Sequence, residues 1–327
     1  MVAHDLGGQA HLLRGGAGTD CRTGAKAPVG RFAPSPTGRM HAGNVFAALM
    51  AWLIAKRDGG SIVLRIEDLD EQRSKSAFAS AIMRDFEYLG FDWDRGPYYQ
   101  SDRKNAYEEA YRDLESRGLL YPCFCTRADL HAASAPHRGE KAVYPGTCRS
   151  LTADERIARA KTRDPAMRLT VPAEVYGLND AIQGTYRQNL ADECGDFLVR
   201  RSDGAFAYQL AVVLDDADQG VTTVVRGCDL LCSTPQQLYL QDLFGFEHPA
   251  YAHIPLIAGE PNRRLSKRDR DADMEALRAR FKTPEALIGH LAGITGIADT
   301  CDAIALDELL QRFSLEALRG TIQIQWR

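Results

Sequence analysis

No apolar run in the chain approaches the roughly 20 residues that a membrane-spanning helix needs; the nearest, Val45 to Ala55, is too short. An excess of one charge is missing too. The 40 Lys+Arg stand against 44 Asp+Glu, a formal net charge of -4, so any contact with nucleic acid has to be local. Residues 1–28 hold no continuous apolar segment of the kind a signal peptide carries, and Asp5 and Asp20 do not fit a typical transit peptide. Cytoplasm is the expected compartment and no membrane the expected partner. Internal repeats are absent. Disulfides are not expected in a chain of this kind: Cys21, Cys123, Cys125, Cys148, Cys194, Cys228, Cys232 and Cys301 read as thiols or metal ligands. What is present is ordinary globular material, 45% hydrophobic and 26% charged over 327 residues, enough for about two domains.

The chain divides by pattern. Residues 1–28 contain six glycines and little periodicity, and read as a flexible extension. From Gly30 a short strand at Arg31-Phe32-Ala33, a helix from Asn44 to the Gly59-Gly60 stop, and a strand over Ser61–Ile66 follow one another. Helices are expected near Ser74–Leu89 and Asp102–Arg117, each stopped by a glycine. This alternation predicts an α/β fold with a parallel, doubly wound sheet, whose first half covers 29–120. Residues 121–185, rich in Cys and Pro, read as an insert, and 186–260 as the second half. In that half Asp196–Arg201 and Ala205–Leu214 flank Ser202-Asp203-Gly204, a hairpin signal. A strand at Val221–Val225, a helix capped by Thr234 with Pro235 at its start, and a strand over His253–Ala258 complete it. Residues 261–327 then read as a charged loop followed by helices.

Two strings carry chemistry. The first, Arg31-Phe32-Ala33-Pro34-Ser35-Pro36-Thr37-Gly38-Arg39-Met40-His41-Ala42-Gly43-Asn44, lies between a strand and a helix. Ligands of open α/β sheets bind at that position, where a helix N-terminus offers free N–H groups and a positive dipole to phosphate. The second, Arg264-Leu265-Ser266-Lys267-Arg268, sits in the charged loop, where closure would bring Lys267 to the phosphates of a bound nucleotide. A third pattern is Cys123-x-Cys125 with Cys148 further on, three thiolates that suit tetrahedral zinc. Spacing leaves its fourth ligand open among Tyr144, His131, His137 and water.

Together the strings resemble the signature pair of the class I aminoacyl-tRNA synthetases. His41-Ala42-Gly43-Asn44 resembles their HIGH motif, and Leu265-Ser266-Lys267 the core of their KMSKS motif, with Arg264 and Arg268 in place of the terminal Lys and Ser. The context, including Arg65-Ile66-Glu67-Asp68-Leu69-Asp70 and Val225-Arg226-Gly227-Cys228-Asp229-Leu230-Leu231, is similar to the glutamyl/glutaminyl branch from about Gly30 to Arg270. Only residues 269–327 follow the lysine string, too few for the large anticodon-binding region of a complete glutamyl-tRNA synthetase. The resemblance therefore narrows to the truncated glutamyl-Q tRNA(Asp) synthetases.

That resemblance implies a Rossmann-like sheet domain split by a zinc-binding insert, with a short helical C-terminal region. It implies tRNA-independent activation of L-glutamate by ATP, with Mg²⁺, and transfer of glutamate to the queuosine base at the wobble position of tRNA(Asp), by a monomer. Residue by residue, His41 and Lys267 would be catalytic, and His41, Gly43, Asn44 and Lys267 would bind ATP. Arg31, Phe32, Ala33, Pro34, Ser35, Glu67, Tyr208 and Arg226 would bind L-glutamate, Arg31 and Arg226 suiting its carboxylates and Glu67 its ammonium. The family pattern selects Tyr144 as the fourth ligand beside Cys123, Cys125 and Cys148, for one structural Zn²⁺. The rival expectations are a glutamyl-tRNA synthetase charging the 3′ end of tRNA(Glu), and a non-catalytic synthetase-like binding protein.

Overall fold

The structure, a computed structural model, describes residues 27–126, 129, 143–260, 263–264, 273–299 and 301–326. Strand β1 (Val29–Phe32) leads through helix α1 (Ala42–Arg57) to β2 (Ser61–Ile66), α2 (Ser76–Leu89), β3 (Arg95–Tyr99) and α3 (Lys104–Ser116). β1, β2 and β3 pair in parallel, Val29 opposite Ser61 and Val63 opposite Arg95. Helix α1 is apolar on nearly every side because it is covered on nearly every side, lying against β1 and β9 (Thr223–Gly227) and against α9 (Leu306–Arg312). Val45, Phe46, Leu49, Met50 and Leu53 within it are fully buried, each such side chain contributing about 1.5–3 kcal/mol by leaving water. Gly90 ends α2 in the left-handed conformation that only glycine adopts cheaply.

A different architecture then intervenes. Strands β4 (Leu120–Cys123), β5 (Ala166–Leu169) and β8 (Phe197–Arg200) form an antiparallel sheet, joined by helix α4 (Ala153–Ala160) and by a hairpin of β6 (Val175–Asp180) and β7 (Gly184–Asn189). After α5 (Tyr208–Asp218) the parallel pattern resumes: β9 runs to α6 (Thr234–Phe244) and β10 (Ala250–Ile254), and β9 pairs with β10 in parallel. β9 lies beside β1. Thr222 N–H donates to Val29 O at 2.9 Å and Arg31 Nη1 to Val225 O at 2.9 Å, so both strands point the same way and the order across the domain is β3-β2-β1-β9-β10. The doubly wound α/β expectation is met.

Strands β11 (Leu256–Glu260), β12 (Arg263–Arg264) and β13 (Gln323–Gln325) make a small sheet, with helices α7 (Met274–Phe281), α8 (Pro284–Thr295) and α9 between its second and third members. The tip of the β6–β7 hairpin reaches this region: Ile182 is buried in the main core and accepts from Gly320 N–H at 2.9 Å.

Three local expectations are corrected. Ala205–Leu214 is no strand of a hairpin. Its Leu210–Leu214 run lies within α5 and is buried, and past the Ser202-Asp203-Gly204 turn the segment meets β8 only through the Arg200–Phe206 bridge and the main-chain hydrogen bonds beside it. The strand expected over His253–Ala258 is two strands, parted at Pro255, which has no N–H to give a ladder. Thr234 does not cap α6; Ser233 occupies the cap position, and the Thr234 hydroxyl turns inward to Arg226 and His253.

Candidate active site

The segment after β1 and the residues after β2 and β9 all leave the sheet at its carboxyl edge, where they enclose a cavity of about 490 Å³. Its lining gathers Arg31, Phe32, Ala33, Pro34, Ser35, His41, Asn44, Glu67, Tyr208 and Arg226, nearly all of the positions expected for amino acid and nucleotide. Phe32 contributes least through its side chain, since its ring packs on Phe86 at 4.8 Å in the core. Gly43 does not line the cavity but sits under the His41 ring: a Cβ there would come within 3.1 Å of it. Leu265, Ser266, Lys267 and Arg268 lie outside the described residues. Their flanks do not. Arg264 pairs with Ala258 of β11, and Asp273 forms a bridge with His41 while Met274 N–H donates to Met40 O at 3.1 Å. The chain that follows the lysine string is therefore joined, from Asp273 on, to the His41 segment.

His41 precedes the first turn of α1, and its N–H donates to Asn44 Oδ1 at 3.1 Å. Asn44 thus ties down the backbone that presents His41. Asn44 N–H is taken up by His41 O at 2.8 Å, which leaves the start of α1 at Ala42 and Gly43 to carry the positive end of the helix dipole, an arrangement suited to an anionic phosphate.

Behind the Arg31 and Glu67 wall of the cavity the charges are arranged in opposition. Arg65, fully buried, donates to Asp216 Oδ1 and Gln219 Oε1, both at 2.8 Å, and to Glu67 Oε1 at 3.3 Å. Burial alone would disfavour its charge, but Asp216, Glu67 and Asp215 hold it protonated. Arg31 is held by Val225 O and lies 3.5 Å from Asp216. Glu67 N–H is fixed to Pro34 O at 2.9 Å. Burial pushes the Glu67 carboxyl above its ordinary range, with Arg65 and Arg31 offsetting only part of that.

Arg226 is held still more tightly. Nε donates to His253 Nε2 at 3.0 Å, Nη2 to Thr234 Oγ1 at 2.8 Å, and Nη1 faces Tyr208 OH at 3.4 Å. Asp180, His253 and Thr234 are not among the site residues expected from the sequence. Asp180 is 73 positions from His253, so no local pattern joins them.

A second cluster forms where β4 ends. The Sγ atoms of Cys123, Cys125 and Cys148 lie within 4.8 Å of one another, with Cys125 and Cys148 at 3.6 Å. Tyr144 OH lies 3.5 Å from Cys123 Sγ and 3.9 Å from Cys125 Sγ. His131 and His137 lie outside the described residues. Zn–S bonds of about 2.3 Å in a tetrahedron place sulfurs roughly 3.8 Å apart, so the donor set and its spacing fit zinc. Burial and the neighbouring thiols push Cys125 up to about 12, whereas at Cys123 the hydrogen bonds of Tyr144 and Arg168 outweigh burial and bring the thiol down; thiol ligands bind zinc as thiolates. Arg168 supplies positive charge beside them, donating from Nε to Cys123 Sγ at 3.2 Å with its Cζ 3.7 Å from the Tyr144 ring centroid. Gly195, at φ +69°, brings the main chain against Tyr144, where a Cβ would stand 2.5 Å from the carbonyl oxygen.

Comparison with known proteins agrees with this geometry. The family model described as tRNA synthetases class I (E and Q), catalytic domain, matches residues 29–323. The chain belongs to that family. Among particular relatives it is similar to a glutamyl-Q tRNA(Asp) synthetase of Symbiobacterium thermophilum, 45% identical over 298 residues that cover 88% of this chain and 92% of the relative. It is also similar to a glutamate–tRNA ligase of Geotalea uraniireducens, 40% identical over 88% of this chain but only 61% of that one. The crystal structure of a glutamate tRNA ligase from Elizabethkingia meningosepticum in complex with its amino acid superposes with a TM-score of 0.76 at 29% identity, covering 92% of this chain and 67% of that chain. No helix among the described residues is long and apolar enough to cross a membrane.

Proposed function

We propose that this synthetase activates L-glutamate with ATP, without tRNA, and transfers the glutamyl group to the queuosine base at the wobble position of tRNA(Asp). The observation that carries the reading is the single cavity joining a phosphate-ready helix start at His41 to a buried cluster holding both signs of charge at Glu67 and Arg226. A relative named for this activity matches 92% of its own length, whereas a glutamate–tRNA ligase is matched over 61% of its length.

In this mechanism Arg31 and Arg226 receive the two carboxylates of glutamate and Glu67 its ammonium, with Ser35 and Tyr208 adding hydroxyl contacts. The α-carboxylate attacks the α-phosphorus of ATP in line, forming glutamyl-adenylate and releasing pyrophosphate. His41, the Gly43 and Asn44 turn, and Lys267 meet the negative charge on the phosphates, so catalysis is positioning and electrostatics with no enzyme nucleophile. Mg²⁺ would supply further neutralisation of the phosphates. Cys123, Cys125, Tyr144 and Cys148 hold one structural Zn²⁺ that staples the segment between β4 and β5.

The test is glutamate-dependent ATP–pyrophosphate exchange without tRNA, followed by labelled glutamate offered with queuosine-containing tRNA(Asp) or with tRNA(Glu). Exchange and labelling of tRNA(Asp) alone is the expected outcome. Labelling of tRNA(Glu) would make the protein a conventional charging enzyme, and absence of exchange would make it a binding protein.

A further inference from the structure

Behind Arg226, on the side away from the cavity, three buried polar side chains join it in a continuous chain of hydrogen bonds. Asp180, from the tip of the β6–β7 hairpin, is only 6% exposed, and His253 and Thr234 are at 0%. The Asp180 carboxylate has no free acceptor geometry left. Oδ1 accepts from Ile182 N–H at 3.0 Å, Gln183 N–H at 2.9 Å and His253 N–H at 3.0 Å, and Oδ2 meets His253 Nδ1 at 2.6 Å. A carboxylate engaged by three N–H donors stays ionised and so accepts a hydrogen bond from the ring nitrogen that faces it. His253 Nδ1 is therefore the protonated nitrogen, and Nε2 presents its lone pair to Arg226 Nε at 3.0 Å. With Thr234 Oγ1 accepting from Nη2, two of the three guanidinium nitrogens are fixed from behind, and the Nη1 edge beside Tyr208 is left for the cavity.

We propose that Asp180 and His253 are positioning residues: Asp180 sets the His253 tautomer, and His253 in turn orients the Arg226 guanidinium toward a carboxylate of the amino-acid substrate. This rests on the proposed function, because the substrate carboxylate comes from that reading. It also links the tip of the hairpin to the amino-acid pocket, from Asp180 through His253 of β10 to Arg226. An arginine with a free guanidinium would reach the same carboxylate but would first have to lose rotational freedom, which weakens binding of glutamate and leaves nucleotide binding alone.

The experiment compares the wild-type protein with Asp180→Asn, His253→Leu, His253→Gln and Thr234→Val, measuring ATP–pyrophosphate exchange over glutamate and ATP concentrations, and glutamate binding by calorimetry. An asparagine amide facing Nδ1 forces the other tautomer, whose Nε2–H opposes Arg226. A glutamine at 253 restores an acceptor for Arg226 Nε. Asp180→Asn and His253→Leu are expected to raise the glutamate KM and Kd by about tenfold or more with the ATP KM within about twofold, and His253→Gln to recover most of the loss. Glutamate and ATP KM rising together, kcat falling at unchanged glutamate KM, or His253→Gln as impaired as His253→Leu would each overturn the role. If Asp180→Asn does not fold, the His253 pair and Thr234→Val decide on the same criteria. A wild-type protein that neither exchanges nor binds glutamate sinks the functional reading and the positioning role with it; an active wild type with unaltered variants sinks the positioning role alone.

Discussion

In the proposed mechanism Glu67 ties pH to substrate affinity. Its folded-state pKa is raised by burial, so in the window above the ordinary glutamate value the native state binds more protons than the unfolded chain. Its contribution to stability therefore improves as pH falls, while its capacity to receive an ammonium declines. Glutamate affinity is expected to weaken as pH is lowered through the raised pKa, and Glu67→Gln is expected to raise the glutamate KM by about tenfold or more and to flatten that pH profile. An unchanged profile in the variant, measured by exchange kinetics, would remove Glu67 from ammonium binding. Gly43 gives a second prediction at this scale. An added Cβ meets the His41 ring at 3.1 Å, yet alanine favours helix by about 1 kcal/mol over glycine. Gly43→Ala is expected to leave the melting temperature the same or higher while kcat falls by about tenfold, a split visible by thermal melting beside exchange assays.

Elements differ in how far local pattern reaches them. The string from Arg31 to Asn44 was legible because its chemistry and its strand-to-helix position are contiguous, and the structure puts its residues round one cavity. The same holds for the glycine stops of α2 and α3. Helix α5 was misread because Leu210-Ala211-Val212-Val213-Leu214 is buried all round, which removes the periodicity that separates helix from strand. The Asp180–His253–Arg226 chain was invisible for the opposite reason, since it is assembled from three elements and exists only after folding. The cysteine element was legible in its spacing, and its prediction follows from the charge balance at β4. Cys148→Ser is expected to abolish a stoichiometric zinc signal and lower the melting temperature by several degrees. Arg168→Met, which removes the guanidinium beside Cys123 and Tyr144, is expected to keep the metal but release it about tenfold more readily to a chelator. Equal zinc retention in Arg168→Met and wild type would show that the arginine only packs.

At the scale of the whole molecule, the last described strand bears on the first motif. β13 pairs in parallel with β11, Leu256 opposite Gln323, and Trp326 N–H donates to Ala258 O at 2.7 Å. The Trp326 ring meets Phe281 of α7 edge-on at 6.2 Å and His290 of α8 at 5.1 Å. One short segment thus clasps both flanks of the lysine string: β11, which leads into it through β12, and α7, which follows Asp273 beside His41. The charged cluster around Arg226 and Glu67 is held by β9, α5 and the β6–β7 tip, and Gly320 and Thr321 brace that tip in turn. Truncation after Ile322, which spares this brace and removes β13 and Trp326, is therefore expected to act selectively. In the proposed mechanism Lys267 meets the phosphates, so loosening both flanks would misplace it, and misplacement on the order of 1 Å costs about a hundredfold in rate. The expected outcome is a fall in kcat for ATP–pyrophosphate exchange of between about ten- and a hundredfold, with the glutamate Kd measured by calorimetry within about twofold of the full chain. A truncated protein that loses glutamate binding in step with exchange would show that the C-terminal strand supports the whole sheet rather than the lysine string, and one with unchanged kcat would show that the tether at Asp273 suffices by itself.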